Sequence, residues 1–519
     1  MKIKLLKIPH FETDVNEGKF NVRYPLVPLS LPILKSTLKK NSLKAEQDDL
    51  SVKVFRQNIK DNAINLTLFN DEKRVNNFIK TKSDSEKSDS AMESEGLKIL
   101  NLTKHKCFDL FGFSLDETNN PSTLGVIASL SASIKEKYSV PIICGGRAPN
   151  EVVNKLLLSK TIDYWILEGP YANQPQVFVK FCKEFENRNF SPDKIPQLSY
   201  NKNGKVKTTN GFLEKDEFVT PDFDGLPLEL YKRNKHINLH TGGTAVDDLL
   251  VLPYFFVKGC PNRCAFCCNS SWNYYKTNDP DKVSADLKFL SKKYKTKNFY
   301  FLNSSINPTK HYINSLVNSF SNNDLSISFT DCATFMNMDE KILRKLKDAG
   351  AKRLIYGLET ASPKLLNYIN KNLKLEHAEK ILKKTYELGI VGEVELIPGL
   401  PYETEKDVTE TISFVQRNQK YIQQINLFKF WIDGRFLKEP AKLGIKLLSE
   451  KQERVCIPEN KRGFDEIKGL KWKDKVKQTN QAYSRLKKIH LPYRLEEMPN
   501  FSLKDYLFIF HITDTMYEK

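Results

Sequence analysis

From residue 251 to about residue 435, six strand-like runs alternate with helical segments, and no other feature of the chain restricts its fold so tightly. The runs are Leu252 to Val257, Asn298 to Leu302, Ser326 to Thr330, Arg353 to Gly357, Val391 to Ile397 and Ile425 to Trp431. Parallel strands need long crossovers, so this alternation predicts a parallel sheet with a helix after each strand. Six repeats suit a partial (β/α)6 barrel, with chemistry at the carboxyl ends of its strands. Directly after the first run stands Cys260-Pro-Asn-Arg-Cys264-Ala-Phe-Cys267. Three thiols at this spacing can hold three corners of a [4Fe–4S] cluster, because soft sulfur suits iron. The fourth iron is left for an outside ligand. A structural zinc site would want a second ligand pair nearby, and none follows; zinc or inert thiols are the alternatives. Cys268 adjoins Cys267, but adjacent side chains rarely ligate one small cluster.

The first 180 residues also alternate. Ile3 to Ile8, Phe108 to Ser114, Val140 to Cys144 and Asp163 to Leu167 read as strands, with helices over 28–40, 123–138 and 152–158. This predicts a doubly wound parallel sheet of flavodoxin type, whose ligands lie beyond the strand ends. Ser114, Gly145, Gly146, Glu168 and Gly169 occupy those ends. Residues 81–96 are low-complexity and polar, and are expected as an exposed loop within this domain. Residues 181–250 read as a connector with a hairpin turned at Asn201-Lys-Asn-Gly-Lys205. The barrel domain spans 251–435, and 436–519 forms a small C-terminal accessory extension.

A chain of 519 residues exceeds one ordinary core, and 40% hydrophobic content suffices for two or three. No apolar run reaches membrane-spanning length, and the start lacks a signal peptide's apolar stretch, so a cytoplasmic location without membrane contact is expected. Nine cysteines, an odd number, agree with a reducing compartment. The net charge of +18 raises the question of nucleic acid, but the lysines are dispersed among acids. No nucleic-acid partner is therefore expected.

The stretch Val257 to Cys267, with Phe266 in the aromatic slot of Cys-x₃-Cys-x-aromatic-Cys, resembles the signature of the radical S-adenosylmethionine (SAM) enzymes. The resemblance implies a cluster on Cys260, Cys264 and Cys267 whose open iron chelates SAM and whose electron splits it to a 5′-deoxyadenosyl radical. Tyr356 to Ser362 is similar to the family's Gly-x-Glu-Ser/Thr segment, which makes Gly357 and Glu359 SAM contacts. Glu395 to Thr404 matches its Gly-x-Pro-x-Glu segment and places Gly399 and Pro401 at the adenine. Where many relatives carry Gly-Gly-Glu, this chain has Asn303-Ser304-Ser305, with Asn303 and Ser304 as the expected contacts. Asp331 and Cys332, after the third strand, are candidates to face the radical. The first domain resembles the cobalamin-binding-like domain that precedes many such cores, although the Asp-x-His-x-x-Gly motif is absent and Pro170 replaces an acid. His10 is a candidate axial ligand.

The resemblance thus implies a cluster, SAM and cobalamin as cofactors, a small-molecule or peptide substrate, and an external electron donor such as flavodoxin or ferredoxin. The implied reaction is cobalamin-dependent methylation. Alternatives are a cobalamin-independent cyclase or epimerase, an RNA-modifying enzyme of methylthiotransferase type, and a non-enzymatic cobalamin or redox sensor. The methylthiotransferases carry three further cysteines in the first domain, where this chain has Cys107 and Cys144, with Cys182 at the edge.

Overall fold

A computed structural model describes residues 1–9, 12–13, 20–21, 26–61, 63–81, 89–103, 107–117, 121–167, 173–213, 217–232, 249–269, 274–448, 462–489, 491, 498–499, 502, 505 and 508–509. The described residues divide into two compact units, one within Met1–Leu250 and one within Val251–His511.

The first unit is built on a seven-stranded sheet. Its strands are β1 (Lys2–Lys7), β2 (Lys44–Asp49), β3 (Leu110–Glu117), β4 (Ile142–Arg147), β5 (Tyr164–Ile166), β6 (Leu198–Lys202) and β7 (Lys205–Thr208). Their spatial order is β2-β1-β3-β4-β5-β6-β7. The first five are parallel, and the order reverses between β1 and β3. That is the doubly wound arrangement expected, with its switch point between those two strands. Helices over Ser30–Lys40, Asn150–Leu158 and Pro121–Tyr138 match the expected positions closely.

Two features differ from expectation. The hairpin β6–β7, read as part of a connector, pairs antiparallel with β5 and extends the sheet: Tyr164 lies opposite Tyr200 and Ile166 opposite Leu198. Hence the compact unit runs on to residue 250. The polar stretch 81–96 is not a loop throughout. Residues 82–88 lie outside the described residues, but Ser90–Asn101 is a helix. Asp89 caps it, accepting from Met92 N–H, and is itself gripped by the Arg74 guanidinium. Met92 and Glu95 are buried, and Gly96 lies so close to the Ser129 backbone that a Cβ there would collide with the Ser129 carbonyl. The Ser/Glu-rich composition concealed an apolar stripe at helical spacing, Met92, Ile99 and Leu100.

Strand β2 was not expected at all, because Lys-Ala-Glu-Gln-Asp-Asp lacks the apolar pattern of a strand. Its buried polar side chains are held by tertiary partners, although Gln47 Oε1 accepts no hydrogen bond among the described residues. Gln47 donates to the carbonyls of Asp222 and Asp224, and Asp48 accepts from Lys53 and Thr103. Asp49 accepts from the N–H groups of Ser51 and Val52, capping the helix Leu50–Asp61, and from the Tyr231 hydroxyl.

The second unit holds a six-stranded parallel sheet: β8 (Val251–Tyr254), β9 (Asn298–Phe301), β10 (Ser328–Ala333), β11 (Ala351–Glu359), β12 (Val391–Leu396) and β13 (Gln424–Leu427). They lie in sequence order. Each of the six expected runs contributes one strand. The first run splits, since Val257–Gly259 leaves the sheet to pair antiparallel with Tyr275–Thr277. Helices cover one face: Tyr356 of β11 meets Thr385 of the helix Leu375–Glu387 at 2.9 Å. Side chains alternate across a strand, so Arg353, Ile355 and Gly357 lie on the opposite, inner face. There Arg353 and Glu393 form a fully buried bidentate ion pair. Of the region after 435, residues 436–448 and 462–489 belong to this same unit. Ile445–Leu447 pairs with Phe464–Glu466, and the helix Trp472–Lys487 lies against the segment after β12. Among the described residues no helix is long and apolar enough to cross a membrane.

Candidate active site at the carboxyl end of the six-stranded sheet

The cysteine loop follows β8 at the carboxyl edge of the sheet, where the expected barrel chemistry belongs. Gly259 enters it at φ +69°, in the left-handed region, and a Cβ there would strike the Tyr274 carbonyl. The loop is stitched down on two sides. Ala265 N–H donates to the Ile369 carbonyl at 2.8 Å, and Asn370 Nδ2 to the Arg263 carbonyl at 2.9 Å. On the other side Arg435 N–H donates to the Ala265 carbonyl at 2.8 Å. Gly434, φ +56°, lies so near the Ala265 and Cys267 carbonyls that only glycine fits.

Cys264 is buried, and Cys260, Cys267 and Cys268 are half-buried; all four are free thiols. Burial pushes the Cys260 and Cys264 thiols up, and the nearby Lys371 ammonium opposes that rise at both. Cys267 is pushed up by a hydrogen bond shared with Cys268 and by burial. Among the described residues no three His, Cys, Asp or Glu side chains converge on a single metal ion. A cubane needs no such convergence, because each of its irons takes its own thiolate. Three thiols on one anchored loop beside a cation fit that donor set.

The other expected residues fall into three groups. Glu359 and Gly357 lie at the end of β11, where the Glu359 carboxylate accepts from Lys371 at 2.6 Å. Phe266 packs on an apolar cluster of Ala265, Leu365, Leu400, Phe430 and Phe436. Gly399 has φ +95°, but the space beside it is filled by the Thr479 side chain, and the adjacent Pro401 leads into Tyr402, whose N–H donates to Glu466. The C-terminal helix thus backs this segment.

Asn303 is oriented differently from expectation. Its oxygen accepts from Phe256 and Val257 N–H at 2.9 Å each, and its nitrogen donates to Asp331 at 2.6 Å. Its amide therefore braces the strand leading into the cysteine loop. Ser304 is exposed and accepts from Asn269 at 3.0 Å. Asp331 is buried and turned toward Asn303 and the Cys332 N–H, with burial pushing its carboxyl well above the usual range. That orientation removes it from the inner face. Cys332 does share that face with Glu395, and burial, with Glu395 next, pushes its thiol well up.

Sequence reasoning missed Lys371, Asn370 and Gly434, which touch or support the cysteine loop. The only signals were a lysine and a glycine in unremarkable polar contexts.

In the first unit Lys7, Ser114 and Gly145 are register neighbours across the switch point, and Ser114 contacts Ser30 at 2.8 Å. Among the described residues nothing lies within 4 Å of where a Gly145 Cβ would stand, whereas Gly146, φ +144°, abuts the Leu115 carbonyl. His10, Glu168 and Gly169 lie outside the described residues.

Residues 254–415 match the Radical SAM superfamily, and this part of the chain is a radical SAM domain. Such a domain carries a [4Fe–4S] cluster and uses SAM. An uncharacterized methyltransferase of Pyrococcus horikoshii is 26% identical over 228 residues, covering 42% of this chain and 46% of the relative. The anaerobic magnesium-protoporphyrin IX monomethyl ester cyclase of Rubrivivax gelatinosus is 27% identical over 222 residues, covering 40% and 36%. The chain thus spans less than half the length of these curated relatives. Among solved structures, the radical SAM methyltransferase TsrM from Kitasatospora setae, with cobalamin and a [4Fe–4S] cluster bound, aligns over 99% of this chain and 98% of its own, with a TM-score of 0.58 at 14% identity. The cobalamin-dependent SAM radical enzyme OxsB with aqua-cobalamin aligns over 99% and 72%, also at 0.58 and 14%. The chain is similar in fold to these two enzymes over 99% of its length.

Proposed function

We propose that the protein is a cobalamin-dependent radical SAM methyltransferase acting on an unactivated carbon or phosphorus of a peptide or small molecule. The observation that carries this reading is the pairing, in one chain, of an anchored three-cysteine loop at a strand's carboxyl end with a separate doubly wound sheet. When bound, the cluster supplies the electron that cleaves SAM, and cobalamin supplies a methyl carrier. Cys260, Cys264 and Cys267 would hold the cluster, and Glu359 offers a carboxylate to the ribose hydroxyls or ammonium of SAM. In the first unit Gly145 and the Ser30 and Ser114 hydroxyls, near the switch point, would offer room and hydrogen bonds to cobalamin. An external flavodoxin- or ferredoxin-type donor would reduce the cluster.

The name of the Rubrivivax relative favours ring-forming radical chemistry as a second reading. An RNA-modifying methylthiotransferase reading gains no support: Cys107, Cys144 and Cys182, in the first unit, stand in no cluster spacing along the chain.

The test is anaerobic reconstitution followed by incubation with SAM and dithionite, with chromatography for nucleoside and methyl-transfer products. SAM turnover by the native chain and none by the Cys260→Ala/Cys264→Ala/Cys267→Ala variant supports the reading; equal turnover by both refutes it.

A further inference from the structure

Glu359 ends β11 in a conformation that a glutamate rarely adopts. Its φ is +67°, and the register with β12 slips between Gly357 and Glu359. Such a bulge re-aims a side chain, and a non-glycine residue in the left-handed region costs about 1–3 kcal/mol unless its surroundings hold it. Lys371 is what holds it. The Lys371 ammonium donates to Glu359 Oε1 at 2.6 Å, and the two side chains are only 8% and 6% exposed. A Cβ on Gly357 would lie 2.5 Å from that same oxygen and 2.8 Å from Lys371 Nζ, so glycine at 357 makes the room the pair occupies.

The turn that delivers Lys371 is also the one that anchors the cysteine loop. Asn370 sits at φ +56°, Lys371 N–H donates to the Leu366 carbonyl at 2.8 Å, and Ile369 and Asn370 bond to Ala265 and Arg263. Burying an ion pair seldom adds stability, so its presence here invites a functional explanation. Glu359 supplies one: the bond from Lys371 engages Oε1 alone, which leaves Oε2 to accept from another donor.

We propose that Lys371 is a positioning residue for SAM: by fixing Oε1 of Glu359 it presents Oε2 to a hydrogen-bond donor of SAM, and its backbone ties that presentation to the cysteine loop. This rests on the radical SAM reading of the site. It explains why Gly357 leaves room beside the Glu359 carboxylate and why the Asn370–Lys371 turn touches both that carboxylate and the cysteine loop.

The reconstituted full chain and its Lys371→Met, Lys371→Arg and Glu359→Gln variants are compared for iron content, SAM binding by equilibrium dialysis, and the EPR spectrum of the dithionite-reduced cluster with and without SAM. Lys371→Met keeps its iron, binds SAM about tenfold or more weakly and loses the SAM-induced change in the spectrum. Lys371→Arg restores part of both. Combining Lys371→Met with Glu359→Gln adds little to either alone, because both act through one carboxylate. If Lys371→Met proves insoluble, Gly357→Ala, which displaces the pair without removing charge, is expected to give the same loss. Unchanged affinity and spectrum in either iron-loaded variant overturn the proposal, and so does loss of iron from Lys371→Met in soluble protein. Native protein that loads iron but binds no SAM overturns the underlying reading instead.

Discussion

Asn303 donates its side-chain amide to the Asp331 carboxyl at 2.6 Å, joining the loop after β9 to β10 beneath the cysteine loop. The same amide accepts from Phe256 and Val257, so one side chain sets the path of the chain into the first cysteine. Asn303→Ala leaves two N–H groups and a buried carboxyl without this partner. A loss of about 1–3 kcal/mol is expected. Thermal melting of the cluster-free protein reads it, and iron loading should fall with it.

The Arg353–Glu393 pair is fully buried, and Asn426 gives the carboxylate a further contact at 3.2 Å. Arg353→Met strands that carboxylate, at a cost of about 3–5 kcal/mol. Replacing both partners, Arg353→Met with Glu393→Leu, should recover most of it. Urea midpoints of the three proteins test this, and a double variant no better than the single one would contradict it.

Glu403 provides a pH test away from the cysteines. It accepts from Gly399 N–H at 2.8 Å, and burial pushes its carboxyl up to about 7 against the opposing Lys475 ammonium. Its folded pKa exceeds its unfolded one. Between about 4.5 and 7 the folded state therefore keeps a proton that the unfolded state has released, and stability falls as pH rises. Glu403→Gln removes that slope. The variant should gain on the native chain through this window, by on the order of 3 kcal/mol, and the gap should level off above pH 7. Melting curves from pH 4.5 to 8 are the measurement.

Gly96→Ala checks the helix Ser90–Asn101. The added methyl would collide with the Ser129 carbonyl, so the helices must part, at about 1–3 kcal/mol. A variant melting like the native protein would mean that this crossing is looser than described.

How far the sequence was legible depended on which residues carried the pattern. The six barrel strands were readable because Phe299, Phe301, Leu354, Tyr356 and Val394 are apolar and buried at strand spacing. Strand β2 was not, since its buried residues Gln47, Asp48 and Asp49 are polar groups bonded to tertiary partners far along the chain. The helix after residue 89 was hidden by serines and glutamates, and its burial depends on a glycine contact that no local pattern reveals. In the site, the cysteine spacing announced itself because ligation constrains neighbouring residues. Lys371 acts through a partner twelve positions earlier, and Asn303, expected as a SAM contact, turns its oxygen to the Phe256 and Val257 N–H groups and its nitrogen to Asp331.

The most direct test of the cobalamin-dependent reading is to reconstitute the protein anaerobically with iron, sulfide and hydroxocobalamin, desalt it, and quantify both metals per chain. The account predicts about four irons and about one cobalamin, with the iron lost on replacing Cys260, Cys264 and Cys267 and the cobalamin retained. A full complement of iron with no cobalamin would contradict it.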